Sequence, residues 1–586
     1  MREKQKIDLR GVISDVTMMP CGTCDQPASL NRMAEKSLNY LENNPDPDRD
    51  YECRFAIYPS QIPYHIPFFP ANRYGYDTIS IGDTDLRMLM IWPEMRQMAG
   101  AGEATEKELG VVKRADGYVG EDGCAYVNPA ASTGVDVDGV WLSSWATGLM
   151  ICGLCNAAER TGDPEYAARA KKALDSELKL TVSTAGMADF PYNTPYRDGE
   201  WLSLGWAEEH MHNYALIIEP LLRYYEVSGD REYLRKAILI GEAFVNCMID
   251  IRQTLEIDPE TGVFERHTHT HTRDALLGMA HLACLTGDSR YLRWTRRAYD
   301  YIRSVSPGFG WYPETMPENR YSETCVTGDM MGIAYYLAKC GELDCYEEME
   351  RTWRNYLRCT QFFVTPDIEA TIRFLHPERS AAEMDPVIAE LKKLEGGFIA
   401  QTTWNDLTQR QFQLAEGHGD KLIYMMGCCP PSGMLGLVYL YRAAAEQRKD
   451  GVFINMTVTA DTPCAALTSD YTSKDKLTVT ARTAGDYYLR VPEWTDYNAA
   501  RVTLNGADVE PVWDGPQCRY LLVRNVRAGD TIRLRYPLVQ FTQTLTQTSS
   551  EGEEEYRFRW LGNAVTGVSP KAEYIDLFGS QRGIRE

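Results

Sequence analysis

A chain of 586 residues, 44% hydrophobic and 25% charged, has the composition of a soluble globular protein and the length for two or more domains. Its formal charge of −22 argues against a nucleic-acid partner, because phosphate recognition needs a basic footprint. No apolar run reaches bilayer length, and the charged start Met1-Arg2-Glu3-Lys4 lacks an apolar segment behind it, so neither a membrane span nor a secretory signal is read. A cytoplasmic location with reduced thiols is therefore expected for the sixteen cysteines.

Residues 1–85 are rich in aromatics and prolines (Tyr58-Pro59, Pro63-Tyr64, Pro67-Phe68-Phe69-Pro70) and show neither helical nor strand periodicity. They are expected to pack on the helical body of the chain. From 86 to 448 helical patterns dominate, joined by a weak repeat: Thr161-Gly162-Asp163, Ser228-Gly229-Asp230 and Thr286-Gly287-Asp288, with Cys340-Gly341-Glu342 as a degenerate fourth copy. Each copy links an apolar helix to an amphipathic one, with glycine suited to end the first and Asp to start the second. A spacing of roughly 55 to 65 residues fits one helical hairpin plus a long loop. Such hairpins close into an (α/α)6 barrel, although an open α-solenoid satisfies the same repeat.

Beyond residue 449 the period becomes two. Val452–Val458, Lys476–Ala481, Tyr487–Val491, Arg501–Leu504 and Asp530–Tyr536 read as strands, and Asn505-Gly506 as a hairpin turn. The expected fold class is mainly α with β: a helical-hairpin barrel over 86–448 followed by a C-terminal β-sandwich over 449–586.

Cys428-Cys429-Pro430-Pro431 carries the strongest chemical signal, together with Glu323-Thr324-Cys325 about a hundred residues upstream. Vicinal cysteines in a reducing compartment suit a metal better than a disulfide, and the two prolines are expected to hold Cys429 extended, outside any helix. Three thiolates and a carboxylate complete a tetrahedral zinc site without a position for water. If that site is catalytic, one of the ligand thiolates is the nucleophile. A structural zinc, or core cysteines without metal, satisfies the same residues. Cys152-Gly153-Leu154-Cys155 lies in an apolar helical run and reads as core; Cys21-Gly22-Thr23-Cys24 reads as a loop pair.

Two histidine clusters, His210 with His212 and His267, His269 and His271, precede helices that start a hairpin. Imidazole offers a donor and an acceptor to sugar hydroxyls, while alternating His267, His269 and His271 could instead bind a metal from one extended face. Trp311 is a candidate sugar platform because it stands near Glu314.

The pairing of Glu-x-Cys with Cys-Cys-Pro-Pro resembles glycoside hydrolase family 127 and its relatives, the cysteine-dependent β-L-arabinofuranosidases. Tyr488–Trp494 resembles a strand-turn signature of that family's C-terminal domain. The resemblance implies an (α/α)6 barrel, zinc held by Glu323, Cys325, Cys428 and Cys429, and Cys428 as the glycosyl-accepting nucleophile. It also implies sugar contacts from His210 or His212 and from His271. A glutamate upstream of Glu-x-Cys acts as acid and base in the family. In the loop Pro307–Ser322, shorter than the family's, Glu314 is the first candidate and Glu318 the second.

The expected activity is thus retaining exo-hydrolysis of a terminal pentofuranoside, β-L-arabinofuranose or a related rare sugar; the expected partner is a carbohydrate substrate, and the sequence is compatible with a homo-oligomer. A uronate lyase or epimerase on the same scaffold, using tyrosine and histidine, is the alternative enzyme. A non-catalytic sugar-binding protein with structural zinc is the third reading.

Overall fold

The computed structural model describes residues 29–54, 56–57, 83–127, 139–184, 187–189, 196–197, 200–201, 216–246, 257–258, 261–264, 266–316, 320–375, 379–407, 425–549 and 552–579. Within it, three copies of the repeat fold identically. The hydroxyls of Thr161, Ser228 and Thr286 donate to the carbonyls of Ala157, Tyr224 and Leu282 at 2.8, 2.7 and 2.7 Å. Gly162, Gly229 and Gly287 then take φ of +69°, +70° and +69°, a conformation that ends each helix and that other residues resist. Asp163, Asp230 and Asp288 accept from the N–H two residues on and so cap the next helix. The fourth copy departs: the Asp344–Thr352 helix begins without a side-chain cap.

These turns set the architecture. Among the described residues, six largely buried helices form a ring: Asp83–Ala99, Ser144–Thr161, Ile218–Ser228, Leu277–Thr286, Thr324–Lys339 and Cys429–Ala444. Each packs on the next, and the last packs on the first. Amphipathic partners stand outside, such as Ser289–Ser304, which buries Tyr291, Trp294, Thr295, Ala298, Tyr299 and Ile302 at helical spacing. The repeat closes into an (α/α)6 barrel, and the open solenoid is ruled out. No described helix is long and apolar enough to cross a membrane.

The irregular character read for the first 85 residues needs one correction. Leu30–Asn43 is an α-helix that buries Leu30, Met33, Ala34, Ser37, Tyr40 and Leu41, and it packs on both Asp83–Ala99 and Cys429–Ala444. Its stripe includes a buried serine and is flanked by Asn31, Asn39 and Asn43, which dilutes the hydrophobic signal. Cys21 and Cys24 lie outside the described residues. Cys152 and Cys155 are buried in the Ser144–Thr161 helix.

Short two- and three-residue strands occur within the helical part, and from Ala445 onward strands dominate. A five-stranded sheet orders 445–448, 451–454, 485–490, 520–526 and 513–514; a six-stranded sheet orders 460–461, 465–469, 477–481, 531–535, 501–504 and 507–509. Asn505 and Gly506 both take positive φ, +50° and +85°, in the two-residue hairpin between Leu504 and Ala507. A further three-stranded sheet, 540–549, 552–561 and 564–569, returns to the barrel. Its Tyr556 and Phe558 pack on Trp404, while Asp406 accepts from the N–H groups of Tyr574 and Ile575. The C-terminal region thereby braces segment 398–407, which runs beside the Glu-x-Cys motif.

Candidate functional site

Glu323 and Cys325 open one inner helix, and Cys428 and Cys429 open another. Glu323 is the N-cap of Thr324–Lys339, with Cys325 in its first turn. Cys428 is the N-cap of Cys429–Ala444 and is itself in the right-handed helical region, φ −71° and ψ −34°. The expectation that Pro430 and Pro431 keep Cys429 out of a helix is therefore corrected. Prolines are accepted in a first turn, where their missing N–H groups would have no partner. The consequence is electrostatic: two helix N-termini, each carrying partial positive charge, converge on the thiols.

Two backbone features bring the helices together. Segment 399–402 runs between the motifs, with Thr324 N–H donating to Ala400 and Ser322 N–H to Thr402. Further along, Gly328 allows an approach no side chain would permit, since a Cβ there would lie 2.2 Å from the Ser432 carbonyl oxygen.

The four ligand atoms all lie within 4.8 Å of one another, and all four residues are buried. Cys325 Sγ is 3.4 Å from Cys429 Sγ, and Cys428 Sγ is 3.8 Å from Cys429 Sγ. No disulfide joins them, and the described cysteines are free. A tetrahedral zinc with Zn–S bonds of about 2.3 Å spaces its sulfurs by about 3.8 Å, so the donor set fits that ion in number, type and size. Burial pushes the Cys325 and Cys429 thiols well above their ordinary value, and thiol neighbours contribute. At Cys428 the hydrogen bond with Cys325 lowers the value, while Cys429 and burial outweigh it. Burial and the charge of Glu314 likewise hold Glu323 up. Such a cluster favours a divalent cation that replaces its protons.

Glu314 sits next to this group. Its N–H donates to Tyr321 O at 2.9 Å and its carbonyl accepts from Thr268 N–H at 2.7 Å, which ties the loop to the histidine segment. The residue keeps partial exposure, yet burial of its carboxyl pushes the pKa up to about 7, opposed by the Gln401 amide beside it. Glu318 lies outside the described residues, as do His210 and His212.

The remaining expected contacts are buried. Trp311 is fully buried, donates Nε1–H to Thr402 O at 3.1 Å and meets Trp404 edge-on, so it is core and has no ring face open to a sugar. His271 is buried and stacks on Phe264 with ring centroids 4.4 Å apart. His269 uses both ring nitrogens: Nδ1 lies 2.7 Å from Asp329 Oδ2 and Nε2 lies 3.0 Å from Arg87 Nη2. A shared-metal reading of His269 is thereby overturned, because neither nitrogen is left for an ion.

Sequence reasoning missed Arg87, Asp83, Asp329 and Gln401. Asp83 and Arg87, four apart in a buried helix, were a visible signal of internal pairing. Nothing local marks Gln401.

Residues 121–365 match the family model described as Beta-L-arabinofuranosidase, GH127 catalytic domain. The chain is GH127-like. It is a glycoside hydrolase, and the matched span holds Glu314, Glu323 and Cys325, with Cys428 and Cys429 beyond it. Among solved structures, a GH127 β-L-arabinofuranosidase from Geobacillus stearothermophilus T6 superposes with a TM-score of 0.51 at 16% identity, over 82% of this chain and 75% of that one. A GH127 β-arabinofuranosidase gives 0.54 at 15% identity, over 92% and 81%. Both likenesses establish the fold of this GH127-like chain. No curated protein matches it.

Proposed function

We propose that this chain is a retaining exo-glycosidase that releases a terminal pentofuranose, β-L-arabinofuranose or a related rare sugar, with Cys428 as nucleophile and Glu314 as acid and base. The observation that carries this reading is the buried Glu323, Cys325, Cys428 and Cys429 cluster, with a carboxyl of raised pKa beside it. A zinc ion held by those four residues would supply the positive charge that keeps the thiols deprotonated.

In the first step, Cys428 Sγ forms a bond to the anomeric carbon as the bond from that carbon to the leaving oxygen breaks. Glu314 gives its proton to that oxygen. In the second, the Glu314 carboxylate takes a proton from water, the water oxygen bonds to the anomeric carbon and the C–S bond breaks. Two inversions give net retention. The proposed catalytic unit is residues 86–448, with 449–586 as its accessory, and sugar contacts from His210, His212 and His271 belong to the same reading.

A panel of aryl pentofuranosides and pyranosides, assayed with zinc-loaded protein, tests it. Release of L-arabinose from the β-L-arabinofuranoside, abolished by Cys428→Ala with the fold intact, is the expected outcome. A mechanism-based furanosyl electrophile should label Cys428, located by peptide mapping. Wild-type turnover by Cys428→Ala, or an adduct confined to a carboxylate, refutes the assignment.

A further inference from the structure

Behind the thiol cluster lies a buried polar network that the two-step reaction does not use. Arg87 is its hub. The Arg87 Nε–H donates to both Asp83 oxygens, at 2.8 and 2.9 Å, and Asp83 also accepts from Trp145 Nε1–H at 2.7 Å. Arg87 Nη1 donates to Ser432 Oγ at 2.7 Å, and Nη2 lies 3.0 Å from His269 Nε2. Arginine only donates, so His269 Nε2 accepts. The imidazole proton therefore sits on Nδ1, donated to Asp329 Oδ2 at 2.7 Å, with Thr272 Oγ1 donating to the same oxygen at 2.9 Å. Every member of this chain is buried.

Both arms end one helical turn behind a ligand. Ser432 N–H donates to the Cys428 carbonyl at 3.2 Å, so the first arm grips the turn that carries Cys428 and Cys429. The second arm passes through His269 to Asp329, which comes four residues after Cys325 on the Thr324–Lys339 helix. Ser432 is also the residue whose carbonyl faces Gly328. The two ligand-bearing helices are thus clasped from the third helix of the group, Asp83–Ala99.

The geometry points to Arg87 as a positioning residue that holds the two halves of the ligand set in register, through Ser432 toward Cys428 and Cys429 and through His269 and Asp329 toward Cys325. This rests on the proposed role of the Cys428 cluster. Groups that orient metal ligands from behind commonly govern metal affinity or activity by about 10- to 100-fold. Burial of the guanidinium is costly, and the charge of Asp83 beside it offsets that cost.

The test compares Arg87→Lys, Arg87→Met and Ser432→Ala in the full chain by chelator competition for zinc and by kcat and KM on an aryl furanoside, per zinc-loaded folded molecule. Ser432→Ala removes one hydroxyl and decides the matter alone if either Arg87 variant fails to fold. The expected result is zinc bound about tenfold more weakly or worse and a lower kcat at little-changed KM, with Arg87→Lys intermediate between wild type and Arg87→Met. Wild-type zinc affinity and kcat in Ser432→Ala, or in both folded Arg87 variants, would overturn the positioning role. If Cys428→Ala keeps turnover while Ser432→Ala binds zinc weakly, the nucleophile assignment fails and the clasp stands. If Cys428→Ala is inactive and Ser432→Ala behaves as wild type, only the clasp fails.

Discussion

Cys325 Sγ lies 3.4 Å from Cys429 Sγ although 104 residues separate them in the chain. Their contact depends on two inner helices that start at the same end of the barrel and meet at Gly328, whose missing side chain leaves room for the Ser432 backbone.

Gly328→Ala should accordingly push those helices apart. A methyl group 2.2 Å from a carbonyl oxygen cannot be accommodated without backbone movement, and overpacking of this kind costs about 1 to 3 kcal/mol. Thermal melting and zinc analysis should both register the loss. A variant with wild-type melting temperature and full zinc would show that the close approach does not matter.

Cys325→Ser should lower both metal content and stability, because a ligand set of this kind couples metal binding to folding. Elemental analysis should give one zinc per wild-type chain and a markedly smaller fraction for the variant. Wild-type protein from zinc-sufficient medium that carried no zinc would defeat the expectation.

For Glu314 the sign of the pH dependence is set by its role. The carboxyl is raised to about 7 and must be protonated to act as an acid. The rate constant kcat/KM should be level below pH 7 and fall above it. Glu314→Gln should lose that descending limb and be impaired roughly a hundredfold on poor leaving groups, far less on an activated aryl glycoside. An equal loss on both substrates would assign the residue a binding role.

Stability should carry a separate pH signature from His281. Its Nδ1 lies 2.9 Å from Glu219 Oε2 and its Nε2 3.3 Å from Glu226 Oε1, all within the helical ring. Burial opposes the charge, but the two carboxylates raise the imidazole from 6.5 to about 9. A histidine raised in the folded state contributes its full stabilisation below the unfolded value and loses it as pH climbs through the folded one. The contribution, on the order of 3 kcal/mol, should be present at pH 6 and gone near pH 10. Melting curves of wild type and His281→Gln across that window should converge at the alkaline end; a constant gap would contradict the pairing.

The sequence determined a good deal by itself. Its Gly-Asp turns, strand alternation and Asn505-Gly506 hairpin are local signals, each set by the backbone preferences of adjacent residues, and they define barrel and sheets. Glu323, Cys325, Cys428 and Cys429 were legible because their types suit one ion. Only the tertiary structure decided the rest. The helical start at Cys429 depends on the packing of a whole helix, which overrides the local bias of the residue before a proline. The burial of Trp311, the place of Gln401 beside Glu314, and the Arg87 clasp all arise between segments far apart in the chain. Hydrogen bonds and desolvation act through space, so no spacing along the sequence encodes them.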